Sequence, residues 1–279
     1  MYDLGGEPPK DRISLKTPFG DPSETFALFD VGGREVLFLS RHGTGHRLLP
    51  GEINYRANIW AFKKLGVDWI LSVSAVGSFR KEIKPGDFVL VDQYFDRTIR
   101  DRPSTFFGDG LVAHIAFDRP VCGELKRILF EAGQEEGFGS RLHSGGIYLN
   151  IEGPAFSTRA ESLLYKSWGF DVVGMTGVAE AKLCREAEIC YAPVAMVTDY
   201  DSWVGDEDRN LVNSERVIAS MQKNADAVRR IVFRALSHIP DRRTCSCGDA
   251  LRNALVTRPD MVPPATREKL DCIIGRYFT

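Results

Sequence analysis

Two aspartates follow a long apolar run, in the segment Thr198-Asp199-Tyr200-Asp201. If the chain stays extended there, Asp199 and Asp201 point to the same side. Carboxylates beside an apolar strand end need partners, because burying an unpaired charge is costly. A metal site is one interpretation, but the histidines show no ligand spacing with this pair. The sharper interpretation is a general acid next to a hydrogen-bond acceptor for an amino-bearing heterocycle.

Two earlier segments offer donors for an anion. Arg41 and His42 follow an apolar run and precede a glycine-containing stretch that ends at His46. Their N–H groups suit a phosphate oxyanion, although a surface loop with incidental charges would show the same residues. The segment Ser74-Ala75-Val76-Gly77-Ser78 follows another apolar run. Its small residues form either a tight turn or a loop whose backbone N–H groups approach an anion.

Two further segments carry residues with both a structural and a binding interpretation. In the segment 152–161, which contains a Gly-Pro turn, Ser157 is expected to cap the next helix. Phe156 either stacks on a planar ligand or fills the core. Met175 and Thr176 follow a short predicted strand and open a helix. Taken alone, they indicate a core gap-filler and a helix cap.

The elements that must position these segments alternate between strand and helix. The predicted strands cover 67–73, 88–91, 146–151 and 192–197, and the predicted helices cover 52–65, 157–168, 178–186 and 213–238. A glycine hairpin is expected at 25–40, and the polar, aromatic segment 92–114 is expected to be an ordered functional loop or an intersubunit arm. The alternation predicts an α/β fold with a central mixed twisted sheet and helices on both faces. Residues 1–240 are expected to form one domain, with 241–279 as its helical extension.

Composition excludes several classes of protein. The 279-residue chain has 36 Lys and Arg against 38 Asp and Glu, a net charge of −2, whereas a nonspecific nucleic-acid binder needs a basic surface. No apolar run approaches the ~20 residues that span a bilayer, and the first residues lack the pattern of a signal peptide. Six cysteines do not suggest a secreted disulfide scaffold in a chain this long. A cytoplasmic enzyme without membrane or nucleic-acid partners is expected.

The cysteines fall into two groups. Cys245 and Cys247 are expected to form a small strained disulfide or to stay as thiols, and they are too close in sequence for a two-cysteine metal knuckle. The other four are interpreted most simply as buried small residues: Cys122, Cys184, Cys190 and Cys272.

The order and spacing of six motifs resemble the methylthioadenosine phosphorylase branch of the trimeric purine nucleoside phosphorylase family. The motifs run Arg-His-Gly-x-x-His, Asn54-Tyr55-Arg56-Ala57-Asn58, Ser-Ala-x-Gly-Ser, Glu-Gly-Pro-x-Phe-Ser-Thr-Arg-Ala-Glu, Gly-Met-Thr and Thr-Asp-Tyr-Asp. The resemblance covers residues 17–237 approximately, and the tail that begins with Cys245-Ser246-Cys247 also resembles prokaryotic members.

The resemblance implies phosphorolysis, in which inorganic phosphate displaces a purine from C1′ of a 5′-substituted ribose through a transition state with oxocarbenium character. The leading expectation is cleavage of 5′-methylthioadenosine to adenine and 5-methylthioribose 1-phosphate, with phosphate as co-substrate and no metal or organic cofactor. Two alternatives stay open. One is a phosphorylase with broader 5′ tolerance, which accepts adenosine or methylthioinosine, and the other is a nucleoside-binding homologue with little turnover.

The resemblance also implies roles for individual residues. Phosphate would be held by Arg41, His42, Ser74, Ala75 and Thr176. Met175 would lie under the ribose and Phe156 against the base. The remaining pocket contacts would come from Ser157, Ser214 and Val217. A serine at position 214, where relatives have an apolar residue, leaves room for a 5′-hydroxyl.

The two aspartates would read the base. Asp199, protonated or sharing a proton, would stabilise the negative charge that develops at N7, and Asp201 would accept from the 6-amino group. This pair favours adenine, because 6-oxopurine phosphorylases usually place an asparagine first, and a mismatched buried group would cost about 1–3 kcal/mol. His114 matches a residue that a neighbouring subunit contributes to the 5′ pocket. That match implies a homotrimer, or a hexamer built as a dimer of trimers.

The chain departs from the family at three places. It lacks the opening strand that ends in Gly-Gly-Ser/Thr-Gly, and Met1-Tyr2-Asp3 matches the residues that directly follow that strand. The first residue is therefore expected to be an internal methionine, the sheet to lack a strand and expose an edge, and phosphate affinity to be reduced. Ala155 stands where relatives often carry arginine, and Gly177 and Ala179 replace a threonine and a proline of the family's loop.

Overall fold

The computed structural model describes residues 8–99, 102–204 and 214–278, so the expected internal start at Met1-Tyr2-Asp3 lies outside the described residues. Its strands are β1 (Asp11–Ile13), β2 (Phe26–Val31), β3 (Arg34–Phe38), β4 (Trp69–Ser78), β5 (Phe88–Leu90), β6 (Gln93–Arg97), β7 (Leu142–Ser144), β8 (Ile147–Ile151), β9 (Val172–Gly174) and β10 (Cys190–Asp199). Its α-helices are α1 (Tyr55–Lys64), α2 (Gly123–Glu135), α3 (Arg159–Ser167), α4 (Gly177–Glu186), α5 (Ser214–His238), α6 (Pro264–Lys269) and α7 (Asp271–Ile274).

Seven strands form a mixed sheet in the order β6-β8-β9-β4-β10-β5-β7, and β1, β2 and β3 form a separate antiparallel sheet. β4 and β10 run parallel through the centre, in register from Trp69 beside Cys190 to Gly77 beside Asp199. β10 is buried along almost its whole length, as its apolar run predicts for a strand covered on both faces. One face is covered by α1 and α4 and the other by α2 and α5. The predicted α/β fold with a central mixed sheet is confirmed.

Strand structure extends into two segments where the sequence predicts a turn or a loop. The segment 74–78, predicted to be a turn or loop, continues β4 to its end, because β10 lies beside it and pairs with Ser74 and Val76. β6 forms inside the segment 92–114, where a loop is predicted, because it pairs in parallel with β8. Both corrections have the same origin, since a neighbouring strand supplies hydrogen bonds that local sequence does not reveal.

One side of β4 is open. β9 pairs with β4 only at Gly77 and Ser78, and within the described ranges no strand pairs with the same side of Trp69–Val76. The Nη1 of Arg41 donates instead to the carbonyl of Val73, at 2.7 Å. The open edge lines a large cavity. An exposed sheet edge is what the sequence predicts here.

The tail after α5 packs against the body of the protein. Leu251 and Ile273 are buried in one hydrophobic cluster with Ile59 of α1 and Leu183 of α4. The indole of Trp60 donates to the carbonyl of Lys269, at 3.1 Å. The tail therefore shares its apolar contacts with two helices of the main sheet. Among the helices described, none has the length and apolarity to cross a bilayer.

Candidate active site

A cavity of about 1200 Å³ lies beside the open edge of β4 and reaches the end of β10. Ten of the residues that the sequence assigns to the site line it: Arg41, His42, Ser74, Ala75, Phe156, Met175, Thr176, Asp199, Ser214 and Val217. Three others do not belong to its lining: Ser157, Asp201 and His114. The segments that carry the motifs thus converge on one cavity, as expected for ligand sites at the ends of parallel strands.

Arg41 is bound by protein groups on nearly all of its donors. Its Nε lies 2.5 Å from Oε1 of Glu180, and its Nη2 lies 3.2 Å from Oε2. Nη2 also donates to the hydroxyl of Ser72, at 2.6 Å, and Nη1 donates to Val73 O. Burial alone would lower the pKa of Arg41, but Glu180 outweighs it and raises the pKa above its ordinary value. Of the five N–H groups of a guanidinium, one remains for an anion.

Glu180 was not predicted from the sequence. It is 8% exposed and, besides Arg41, binds the hydroxyls of Ser72 at 2.8 Å and Tyr191 at 3.0 Å. The available signal was its position on α4, one turn after Thr176, among residues that are otherwise small or apolar. An acid on a buried helix face needs a charged partner, and that partner, Arg41, is found only once the loop after β3 and α4 are brought together.

The side chains of His42 and His46 stack, with ring centroids 4.1 Å apart. Nδ1 of His42 lies 2.8 Å from the carbonyl of Leu48. A carbonyl only accepts, so Nδ1 carries a proton and Nε2 is the nitrogen left for a ligand. Burial lowers the pKa of His42 to about 4. The imidazole is therefore neutral near pH 7 and offers Nε2 as an acceptor, which suits a hydroxyl of phosphate.

The backbone of β4 presents an amide to the cavity. In a β-strand the N–H and C=O of one residue point to the same side, and the side alternates from residue to residue. Val73 turns its carbonyl towards Arg41 on the open side, so Ala75, two residues on, turns its N–H to that side as well. This places the Ala75 amide and the Ser74 hydroxyl on the wall of one cavity.

Thr176 occupies the N-cap position of α4, but its hydroxyl makes no capping bond to the helix. Asn150 of β8 caps the helix instead, because its Oδ1 accepts from the N–H of Val178 at 3.2 Å. The Thr176 hydroxyl lines the cavity at a helix N-terminus, where backbone N–H groups and the helix dipole favour an anion.

Met175 is held from two sides by residues that the sequence did not single out. Its carbonyl accepts from Nη1 of Arg102 at 2.5 Å and from Nδ2 of Asn150 at 3.3 Å. Its side chain lies over Gly153, where an added Cβ would come within 2.5 Å of the sulfur and the φ of +68° also disfavours a side chain. Met175 is thus a fixed wall of the cavity rather than a core gap-filler.

Asp199 is a partly buried carboxyl at the end of β10. Its Oδ2 accepts from the hydroxyl of Thr198 at 2.7 Å, and its Oδ1 accepts from the N–H of Asp201 at 2.8 Å. Burial raises the pKa of Asp199 above its ordinary value. Gly77 of β4 lies against it, since a Cβ there would be 2.9 Å from Oδ1. Burial thus works towards the protonated form, against the two hydrogen bonds that stabilise the charged form, in a carboxyl that lines the cavity.

The expectation that the two aspartates point the same way is wrong. Asp201 has a φ of +51° and begins a 3-10 turn, so the chain does not stay extended after Asp199. The carboxylate of Asp201 accepts from the hydroxyl of Ser162 on α3 and is 4% exposed. Burial raises the pKa of Asp201 to about 6. Asp201 therefore supports the turn and reaches the cavity only through its N–H bond to Asp199.

Phe156 and Ser157 have different environments. Phe156 is 39% exposed and lines the cavity, so it does not fill the core. Ser157 is buried, and its carbonyl accepts from the hydroxyl of Ser202 at 2.8 Å. The sequence predicts that Ser157 caps α3, and this prediction is wrong. The cap is Thr158, which forms a reciprocal capping box with Glu161.

Ser214 and Val217 lie at the start of α5 and form a cavity wall with Ile218 and Met221. His114 is exposed and lies elsewhere on the chain. Its N–H donates to the carbonyl of Ala254 in the tail, at 2.9 Å. The single chain therefore builds the cavity without His114.

Proteins with similar sequences and structures are named as methylthioadenosine phosphorylases. An S-methyl-5′-thioadenosine phosphorylase of Koribacter versatilis is 51% identical over 278 residues, which is 100% of this chain and 94% of the relative. One of Geobacter sulfurreducens is 50% identical over 277 residues, 99% of this chain and 96% of the relative. A crystal structure of a methylthioadenosine phosphorylase from an antarctic soil metagenomic library matches with a TM-score of 0.89 at 42% identity, over 94% of this chain and 91% of that one.

The same assignment comes from two further comparisons. The methylthioadenosine phosphorylase of Schistosoma mansoni, solved in complex with adenine, matches with a TM-score of 0.85 at 34% identity, over 90% of this chain and 93% of that one. The sequence profile of the phosphorylase superfamily matches residues 7–237. From its fold, its site and these relatives, the chain belongs to the phosphorylase superfamily and, within it, to the family of the methylthioadenosine phosphorylases.

Proposed function

We propose that this chain cleaves 5′-methylthioadenosine with inorganic phosphate, giving adenine and 5-methylthioribose 1-phosphate. The observation that carries the proposal is Asp199, a partly buried carboxyl with a raised pKa, which lines the same cavity as the start of α4. An acid for a leaving base and a cradle for an oxyanion are the two requirements of phosphorolysis.

The phosphate side of the site combines neutral donors with one guanidinium. Thr176, Ser74 and the Ala75 amide donate, and the free N–H of Arg41 adds a charge-assisted bond. Neutral His42 accepts a phosphate hydroxyl at Nε2 and so orients the nucleophilic oxygen. The reaction needs phosphate as co-substrate, and these residues call for no metal or organic cofactor.

The base side depends on proton donation. As the bond from C1′ to the base breaks, negative charge develops on the purine, and a protonated Asp199 donates to N7. Phe156 packs on the base and Met175 under the ribose, since both line the cavity beside Asp199. Asp201 acts through its N–H on Asp199 and not by direct contact with the 6-amino group.

The enzyme is proposed to work as a homotrimer, or as a hexamer built from two trimers. Support comes from His114, which is exposed and outside the cavity of its own chain, so a neighbouring chain is the one whose 5′ pocket it can complete. We also assign the enzyme to the cytoplasm, because none of its six cysteines is in a disulfide and disulfides are rare in reducing compartments.

Release of adenine from 5′-methylthioadenosine, measured with and without phosphate, tests the proposal. Phosphate-dependent release together with a methylthioribose phosphate product supports it. Release without phosphate would identify a hydrolase and overturn it.

A nucleoside-binding homologue with little turnover is the second candidate, and one observation favours it. Four of the five N–H groups of Arg41 are already bound by Glu180, Ser72 and Val73. Binding of methylthioadenosine without adenine release at saturating phosphate would support this candidate. The matched variant is Asp199→Asn. It should retain nucleoside binding under both hypotheses, and it should lose adenine release if the wild type has any.

A further inference from the structure

Four of the six cysteines meet at the start of β10, at the opposite end of this strand from Asp199. Cys122 precedes α2, Cys190 is the first residue of β10, and Cys245 and Cys247 lie in the tail. All four Sγ atoms lie within 4.8 Å of one another. The sequence treats Cys122 and Cys190 as separate buried residues and Cys245 and Cys247 as a pair. The structure unites them, because three distant segments converge there.

The sulfur spacing suits a shared ion better than a disulfide. Sγ of Cys245 lies 3.7 Å from that of Cys122 and 3.3 Å from that of Cys190. A disulfide needs about 2.05 Å. Four thiolates in a tetrahedron around Zn²⁺, each about 2.3 Å from the metal, stand about 3.8 Å apart. The short spacing of Cys245 and Cys247 in sequence is no obstacle, because the other two ligands come from α2 and β10.

The surroundings of the four sulfurs offer positive groups. Sγ of Cys122 accepts from the N–H of Leu125 at the start of α2, at 3.5 Å, and Nη1 of Arg185 lies 3.8 Å from Sγ of Cys247. A zinc ion with four thiolates carries a net charge of −2, so N–H donors and a guanidinium next to the sulfurs stabilise it.

The cluster is also held in place by backbone contacts. The N–H of Cys122 donates to the carbonyl of Tyr191, at 2.8 Å, which ties the start of α2 to β10. Glu124 accepts from the hydroxyl of Thr244 at 2.7 Å and from the N–H of Cys245 at 3.1 Å. Three of the cysteines are buried, whereas Cys245 is partly exposed. The arrangement is fixed before any ion arrives and has one side open for entry.

The geometry points to a structural metal site in which these four cysteines bind one zinc ion and fasten the tail to α2 and β10. Binding replaces the four S–H bonds by four S–Zn bonds and releases four protons. All four positions are filled by protein ligands, which is typical of structural and not of catalytic zinc. Cys190 and Asp199 lie at opposite ends of β10, about 30 Å apart at ~3.3 Å per residue, so the ion takes no part in phosphorolysis.

Metal analysis of the full-length protein tests the proposal. The protein is reduced, incubated with Zn²⁺ and freed of excess ion, and we expect one zinc per chain by mass spectrometry. Cys245→Ser should lose most of this zinc. The matched control is Cys272→Ser, since Cys272 is also partly exposed but lies outside the cluster, and it should keep the full amount.

Cobalt provides a readout that does not depend on a variant. Reconstitution of the wild-type protein with Co²⁺ should give the sulfur-to-metal charge-transfer and tetrahedral ligand-field absorption of a tetrathiolate site. Far-UV circular dichroism establishes that Cys245→Ser is folded. The proposal is overturned if the reduced wild type takes up no zinc, if Cys245→Ser takes up as much as wild type, or if a disulfide between any two of the four persists in the reduced, zinc-treated protein.

Discussion

Glu180 holds Arg41 in a bidentate ion pair inside the protein, with Nε 2.5 Å from one carboxylate oxygen and Nη2 3.2 Å from the other. The side chains are 18% and 11% exposed. The pair joins the loop after β3 to α4, the helix whose start carries Thr176. The two halves of the proposed phosphate site are therefore positioned by one contact.

Breaking this pair should destabilise the protein. Glu180→Ala leaves a buried guanidinium without its counter-ion, and we expect a loss of about 3–5 kcal/mol in the free energy of unfolding, measured by urea denaturation. Glu131→Ala is the control, because it breaks the exposed Arg127–Glu131 pair, and exposed pairs contribute little. Equal losses in the two variants would show that the buried pair does not stabilise the fold.

Asp199→Asn should impair adenine nucleosides much more than inosine. An amide cannot transfer a proton to N7 of adenine, and loss of a general acid costs about a hundredfold or more in rate. Inosine should suffer less, because 6-oxopurine phosphorylases usually place an asparagine at this position. The measurement is kcat for methylthioadenosine and for inosine in saturating phosphate. Asp96→Asn, a change on β6 outside the cavity lining, is the control and should leave both rates intact. The same loss on both nucleosides would contradict the proposed role of Asp199.

Gly77→Ala should lower turnover. The added Cβ would lie 2.9 Å from Oδ1 of Asp199 and displace this carboxyl; small misplacements of a catalytic group cost about ten- to a hundredfold. Gly51→Ala is the control, because nothing lies within 4 Å of its Cβ position. If Gly77→Ala retains wild-type kcat, contact between β4 and Asp199 does not set the position of the acid.

Stability should depend on pH through His42. Burial lowers the pKa of His42 from 6.5 to about 4, so between these values the unfolded chain binds a proton that the folded protein does not. The contribution of neutral His42 to the free energy of unfolding is therefore fully present above pH 6.5 and is lost as the pH falls towards 4. Asp201, with its pKa raised to about 6, gives the opposite slope, but it is present in both wild type and His42→Gln.

The difference between the urea-denaturation profiles of wild type and His42→Gln isolates the histidine. Wild type should lose more stability than the variant as the pH falls through this window. Thr44→Ser, a change in the same loop that removes no titratable group and keeps a hydroxyl for Glu24, should give a profile parallel to that of wild type. Parallel profiles for His42→Gln and wild type would show that the imidazole is not buried in its neutral form.

Motif order was enough to assemble most of the cavity. The resemblance of the ordered motifs assigns Arg41, Ser74, Thr176 and Asp199 to one site, and all four line one cavity. Asp201 was misplaced for a local reason. Its φ of +51° turns the chain away from the direction of β10, and the residue types around this position do not predict that turn.

The residues that sequence reasoning missed act through buried contacts between distant elements. Glu180, Asn150 and Arg102 hold Arg41, Val178 and the carbonyl of Met175 in place. Their partners are between 28 and 139 positions away in the chain, so no local pattern reveals them. The same holds for the cysteine cluster, which only the packing of α2, β10 and the tail brings together.

The pairing of β4 with a strand on only one side should be detectable by amide hydrogen exchange. Between Trp69 and Val76, successive peptide groups turn alternately towards β10 and towards the cavity. Amide protons that face β10 should exchange with deuterium slowly, whereas those of the same parity as Val73 and Ala75 should exchange quickly. A central strand would then show protection from exchange at every second amide, a pattern that is typical of edge strands. Added phosphate should slow exchange at Ala75.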